Sequence, residues 1–356
     1  MSGPAEETPP PDPEPVLVAL GAEPPKPRRL LRRLATTFIA IAAIAFVVWI
    51  VPLRDTCTAD GCKPGLFTTL GHTNVPLLIA LFGVYLAGTV AWAARWRALL
   101  GVAEVRLSLW EAWRITLEAQ AGGILLPGGV GGDALRIAHV HARAPEVVLP
   151  KVLASILADR VIGLVTLASL AAAAGLAFPG TKLDTPITCA ADPSLFILAA
   201  VPVAALVGWV LVRRPAVARS RFLTGSRIGT RLVRPILEYA ASERGPRAMR
   251  QGLLLSLLVS GVQLLVVRGL IAVLGVTPEH EALVYGGTTF GMIVAALPIT
   301  PGSWGTADAA YVFFLGQAGV PPSAAAAVCL LYRVFWYASG VIGAGSALAR
   351  RDHADR

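Results

Sequence analysis

The chain has 356 residues, of which 55% are hydrophobic and 15% charged, whereas an average soluble domain carries about 25% charged residues. That composition excludes an ordinary soluble domain and points to an integral membrane protein. The formal net charge of +9 does not indicate nucleic-acid binding, because the basic residues flank apolar runs and the sequence has no basic platform interleaved with aromatics of the kind single strands need.

Residues 1–33 read as a cytoplasmic tail. The first 25 are rich in Pro and Glu with few large apolar groups, a composition that predicts disorder, and Lys26, Arg28, Arg29, Arg32 and Arg33 follow. A helix needs about 20 apolar residues to cross a bilayer core of about 30 Å, and Leu34–Leu53 is the first such run. It lies too far from the start for a cleaved leader, and Val51-Pro-Leu-Arg offers no small-residue cleavage site, so an uncleaved anchor is expected. Cys57 and Cys62 follow in a short loop; a bridge between them and unpaired thiols both fit their spacing, which alone does not give connectivity.

Val75–Leu100 is the second span. Ile115–Leu126 is too short to cross and runs into a helix-breaking turn, Leu126-Pro-Gly-Gly-Val-Gly-Gly-Asp133-Ala-Leu-Arg136. Val152–Phe178 and Leu195–Val212 cross again. Between Arg213 and Arg250 ten arginines stand against two acids, Glu238 and Glu243, and the amphipathic stretch Gly229–Arg244 is expected to lie on the anionic inner leaflet. Gly252–Val276 is the fifth span. Ala282–Leu297 then leads into a second turn, Leu297-Pro-Ile-Thr-Pro-Gly-Ser-Trp-Gly305-Thr-Ala-Asp308, and Val320–Ala349 is the sixth span, closed by Arg350, Arg351 and Arg356.

The charge distribution orients these pieces. The loops at 54–74, 179–192 and 277–281 hold only Arg54, Lys63 and Lys182, so the positive-inside bias predicts both termini in the cytoplasm, in the cytoplasmic (inner) membrane, with Cys57, Cys62 and Cys189 outside. The first short piece then dips from the cytoplasmic side and returns along Asp133–Arg143; the second dips from outside and returns by Gly319. The predicted fold is an all-α integral membrane protein of six transmembrane helices plus two re-entrant helical hairpins in an inverted-topology repeat. Residues 34–178 form one repeat, 179–349 the other, and 350–356 a cytoplasmic C-terminus. Broken helices at matching positions of two halves point to a substrate site, since irregular backbone is tolerated at bilayer depth only where it is packed or lines a polar cavity.

Nine ionisable residues lie in or beside the apolar segments: Arg95, Glu118, Asp133, Arg136, Asp159, Arg160, Arg268, Asp308 and Arg333. Each costs on the order of 2.5–3.5 kcal/mol at a helix centre on insertion scales, which makes them candidates for function. Five arginines against four acids favour an anion, and arginine matches phosphate with two parallel donors. Asp133 and Asp308 fit helix capping as well as substrate contact, and Arg160 and Arg333, 27 and 25 residues further on, fit ion pairs with them as well as a ligand. Gly131, Gly132, Thr300, Gly302 and Gly305 complete the candidate site, with the hairpin tips offering backbone amides to an anion. Gly128–Gly132 follows no strand and lacks the Gly-Lys-Ser/Thr ending of a phosphate loop. His139 and His141 point to different helix faces and read as interfacial residues, so neither a metal nor a cofactor is expected.

The first glycine turn with Asp133-Ala-Leu-Arg136, the Asp159-Arg160 pair, the Arg95-Trp96 pair, and Leu297-Pro298 with Thr300-Pro-Gly302 and Gly305 together resemble the lysylphosphatidylglycerol synthase transmembrane, or flippase-like, family from about Leu34 to Ala349. The resemblance implies a lipid-translocating module acting on a phospholipid or a polyprenyl-phosphate lipid, with a separate transferase as a partner; a membrane-embedded transferase or an accessory subunit in lipid-linked glycan or aminoacyl-lipid synthesis is the alternative. Where that family usually has Gly-Gly-Leu-Gly followed by Glu, this chain has Gly302-Ser-Trp-Gly305 and Asp308. Seven residues follow Ala349, so no aminoacyl-transferase domain is expected on this chain.

Overall fold

A computed structural model describes Ala45, Trp49 and residues 51–58, 61–125, 130–145, 147, 149–177, 234–297, 299–300 and 302–354. The expected fourth span, most of the first, the basic stretch 213–233, Cys189 and the first turn at 126–129 lie outside the described residues.

The described chain opens with a small ribbon, β1 (Thr56–Thr58) antiparallel to β2 (Gly61–Lys63), and Cys57 and Cys62 form a disulfide across it. Asp55 ties the ribbon to α1 (Leu66–Gly71) by accepting from the Gly65 N–H at 2.7 Å and from Thr68 Oγ1 at 2.6 Å. Among the described residues the elements after this ribbon are all helices, and the fold is that of an all-α membrane protein.

Among the described residues, four helices are long and apolar enough to cross a membrane: α2 (Val75–Leu100), α5 (Leu149–Ala177), α7 (Gly245–Val273) and α10 (Pro322–Ala354). They correspond to the expected second, third, fifth and sixth spans. The N-terminus of α2 is set by Asn74, whose side chain accepts from the Leu77 N–H at 3.1 Å, and by Pro76 in the first turn, where no intrahelical donor is lost.

The shorter helices come in two pairs, α3 (Leu109–Leu125) with α4 (Val130–Arg143), and α8 (Glu281–Ala296) with α9 (Thr306–Gln317). Hydropathy placed the start of α3 at Ile115. The helix begins earlier because Ser108 and Glu111 cap it reciprocally: the Ser108 N–H donates to Glu111 Oε2 at 2.8 Å and the Glu111 N–H to Ser108 Oγ at 3.2 Å. Such a polar start is invisible to a search for apolar runs. Between α3 and α4 the backbones touch, since a Cβ on Gly132 would stand 2.4 Å from the Ala119 carbonyl oxygen, so only glycine fits there.

The pairs are exchanged between the halves. α2 packs along α7; α3 lies against α10, at the far end of the chain, while α8 lies against α5. Gln120 of α3 joins the contact with α10, accepting from Ser339 Oγ of α10 and from Tyr85 Oη of α2. One short helix departs from expectation. α6 (Arg234–Ala241) buries Leu237 and Tyr239, and Tyr239 Oη donates to the Leu99 carbonyl at 2.9 Å. Leu99 lies in the last turn of α2, so these two side chains of α6 pack on protein.

Candidate functional site

Most of the charged residues expected at the site fall, among the described residues, into two clusters, one in each half. In the first, Arg95 of α2 donates through Nε to Asp159 Oδ1 at 2.6 Å and through Nη1 to Ser256 Oγ of α7 at 2.6 Å. Asp159 also accepts from Trp92 Nε1 at 3.3 Å and stands 3.5 Å from Arg136 Nη1. Asp159 and Arg160, adjacent on α5, part company: Arg160 turns to Asp133 of α4, which accepts from its Nε at 3.0 Å and from Nη2.

Arg136 is the unusual member. It is 4% exposed, and its guanidinium lies 4.9 Å from the Trp96 ring and 5.4 Å from the Trp92 ring. Its Nε is shielded from solvent without a partner, and no hydrogen bond from Arg136 is found among the described residues. The arginine is held by ring faces and by one long ion pair, contacts that leave its donors unspent. With Arg95, Arg136 and Arg160 against Asp159 and Asp133, the cluster carries one excess positive charge.

The second cluster is saturated. Arg333 of α10 donates to Asp308 Oδ1 at 3.0 Å and Oδ2 at 2.8 Å, to the Gly302 carbonyl at 3.0 Å and to the Ser303 carbonyl at 3.1 Å, with its guanidinium 4.1 Å above the Trp304 ring. Asp308, third residue of α9, reaches back to accept from the Gly305 N–H at 2.8 Å. Thr300 Oγ1 donates to the Trp304 carbonyl at 2.9 Å and meets Thr306 Oγ1 at 2.9 Å. The turn needs φ of +56° at Gly302, +56° at Ser303 and +77° at Gly305. Gly305 adopts this freely; Ser303 does so at about 1–2 kcal/mol, offset by the bond from its Oγ to the Ala295 carbonyl at 2.6 Å and by the Arg333 contact. Asp133 and Asp308 therefore both sit within the first turn of a helix, inside the cap position, where a carboxylate favours the helix dipole.

A cavity of about 260 Å³ opens beside this turn. Its walls are largely apolar and aromatic, with Tyr85 and Trp92 from α2, Tyr332 and Trp336 from α10 and Tyr311 from α9; Gln263, Ser303, Asp308 and Arg333 supply the polar part. Trp92 belongs to both regions, lining the cavity while its ring faces Arg136 and its Nε1 holds Asp159.

The broken-helix segments, the paired Asp–Arg contacts and their spacing coincide with a family match. A model of the lysylphosphatidylglycerol synthase transmembrane region covers residues 38–343. The chain belongs to this family. It is thus a multi-pass membrane protein tied to the synthesis or translocation of membrane lipid. A search of curated proteins finds no match.

Within this lysylphosphatidylglycerol synthase-type membrane region, the residues expected from sequence divide into four groups. Arg95, Asp133, Arg136, Asp159 and Arg160 come together around α4 and α5, and Thr300, Gly302, Gly305, Asp308 and Arg333 around the second turn. Gly131 and Gly132 are buried at the start of α4. Arg268 stands apart: it is held by Glu281 at the start of α8, with donor distances of 2.6–2.9 Å, and does not line the cavity. Sequence reasoning passed over Trp92 and Ser256, and gave Trp96 no contact with Arg136. A signal existed for Trp92, three residues before Arg95 and so on the same helix face; Ser256 is 161 residues away from Arg95 and left no trace in the sequence.

Proposed function

We propose that this chain translocates a phosphate-bearing lipid head group across the cytoplasmic membrane, with phospholipid and polyprenyl-phosphate lipids as the candidate substrates. Arg136 carries the reading. A buried guanidinium with unspent donors is costly in an apolar surround, and a phosphate ester supplies the charge and the acceptor oxygens that match its fork. Arg95 supplies the second cation, Asp159 orients both, and Trp92 connects this cluster to the aromatic cavity, which suits the remainder of the head group. The saturated Arg333–Asp308 cluster holds the second turn in shape, with Thr300, Gly302 and Gly305; the Asp133–Arg160 pair and Gly131–Gly132 do the same for the first. Arg268 serves the helix contact at Glu281.

The exchanged packing of α3 on α10 and α8 on α5 supports the remainder of the reading: residues 34–178 and 179–349 as two inverted repeats, α3–α4 and α8–α9 as re-entrant hairpins between six spans, and both termini in the cytoplasm. Alternating access in such transporters is a rocking of one repeat against the other. The test uses purified protein in vesicles with a fluorescent short-chain phosphatidylglycerol in both leaflets. Continuous loss of label to an impermeant quencher, with the lipid mass unchanged, is expected; a change of lipid mass without relocation would establish the transferase alternative.

A further inference from the structure

A second cavity, of about 200 Å³, lies between the first half of α3 and the last half of α4, away from the aromatic one. Glu111, Arg114, His139 and Arg143 are its polar lining. Their partners decide its electrostatics. Glu111 accepts from the Ser108 N–H that it caps and keeps its negative charge near Arg143 and Arg114, so the lining holds two guanidinium groups against one carboxylate. His139 Nε2 lies 2.6 Å from Glu118 Oε2, and Glu118 Oε1 lies 3.6 Å from Arg114 Nε. That separation is too long for a hydrogen bond, and Arg114 Nε is shielded from solvent with no hydrogen-bond partner. Arg143 is exposed at the mouth and makes no ion pair among the described residues. Two guanidinium groups thus converge on one concavity, with donors that the protein leaves unspent.

We propose that this cavity is a second anion subsite, which takes a phosphate group on Arg114 and Arg143. Arg136 and Arg143 are seven residues apart on α4, nearly two full turns, so they share a face and stand about 10 Å apart along the helix. The His139–Glu118 pair lies between them, with Glu118 also 3.6 Å from Arg114 Nε. Trp110, exposed at the start of α3, and Trp113, 5.1 Å from it between ring centroids, mark the level of the membrane interface, where tryptophan concentrates. A phosphate bound here is accessible from the leaflet or from water. Its service as a loading position for Arg136 rests on the translocation reading; the binding itself does not.

The test counts binding events on the full chain in detergent by native mass spectrometry and calorimetry. The probes are dioctanoyl phosphatidylglycerol, inorganic phosphate and, as the phosphate-free control, dioctanoylglycerol. Wild type is expected to take two phosphate-bearing ligands and Arg136→Gln one. Arg143→Glu, at an exposed position that does not threaten folding, and Arg114→Gln are each expected to weaken the remaining event at least tenfold. Displacement of the lipid by millimolar inorganic phosphate identifies a phosphate site open to water, and retention of the lipid identifies a head-group site; both support the subsite. Two unchanged events in a folded Arg114→Gln/Arg143→Glu variant, or equal binding of dioctanoylglycerol, overturn it. Loss of the Arg136 event alone leaves this subsite standing, and a failure of transport with both events intact counts against the translocation reading and not against the site.

Discussion

Arg333 and Asp308, 25 residues apart, are joined by two hydrogen bonds, and the same guanidinium holds the carbonyls of Gly302 and Ser303. Its counterpart in the first half, Arg160 with Asp133, is 27 residues apart. These arginines close the turns on the long helices that follow them, whereas Arg136 closes nothing.

Arg333→Gln leaves a largely buried Asp308 without its cation and frees two turn carbonyls, a kind of loss that typically costs about 3–5 kcal/mol. A large fall in detergent thermal stability is expected. Arg333→Gln with Asp308→Asn removes the charge imbalance and is expected to recover part of that fall. A single variant as stable as wild type would contradict the staple role.

Arg136→Gln is expected to behave in the opposite way. Because Arg136 makes no hydrogen bond among the described residues, its removal leaves stability near wild type while vesicle transport drops at least tenfold. Arg136→Lys keeps the charge but loses the planar fork and is expected to fall between the two. Undiminished transport by the stable Gln variant would remove Arg136 from the site.

Val130 begins α4 and Ser303 lies in the second turn. If the two hairpin tips meet in one site, cysteines at these positions cross-link under mild oxidation, and a lipid substrate slows the reaction. Absence of any cross-link, with both thiols shown to be reactive, would separate the tips.

Topology is checked by single cysteines near Thr181 and Ser226, both outside the described residues. The position at 181 is expected to react with an impermeant maleimide from outside and that at 226 only after permeabilisation. The reverse pattern at both would turn the proposed orientation over.

Asp55 gives a pH prediction. The Gly65 N–H and then the Thr68 hydroxyl hold its carboxyl below the usual value, near 3.9 in an unfolded chain. A depressed folded value means that the contribution is fully present above about pH 4 and is lost as pH falls through the folded value. Protection of the Gly65 and α1 amides, taken relative to the intrinsic exchange rate at each pH, is expected to be high at pH 6 and to fall below about pH 4; in Asp55→Asn it is expected to be low at both. Protection in wild type that does not change over this range would discount the tie.

The linear order of residues determined a good deal of this protein. Apolar runs long enough for a bilayer placed α2, α5, α7 and α10 to within a few residues at most ends, because hydrophobic length is a local property. The two Pro-Gly turns announced the breaks between short helices, and the spacing of Asp133 from Arg160 and of Asp308 from Arg333 foretold two pairs that do form, since each spans one turn and one helix. Local capping chemistry moved the start of α3, and Tyr239 of α6 bonds the Leu99 carbonyl across the fold. Neither effect registers in hydropathy. Tertiary structure alone decided which arginine is held and which is not. Arg95 finds Asp159 64 residues away and Ser256 161 residues away, Arg268 finds Glu281, and Arg136, among the described residues, finds ring faces and one long ion pair. Partner choice among identical side chains depends on which helices lie side by side, and that is set by packing across the two halves of the chain.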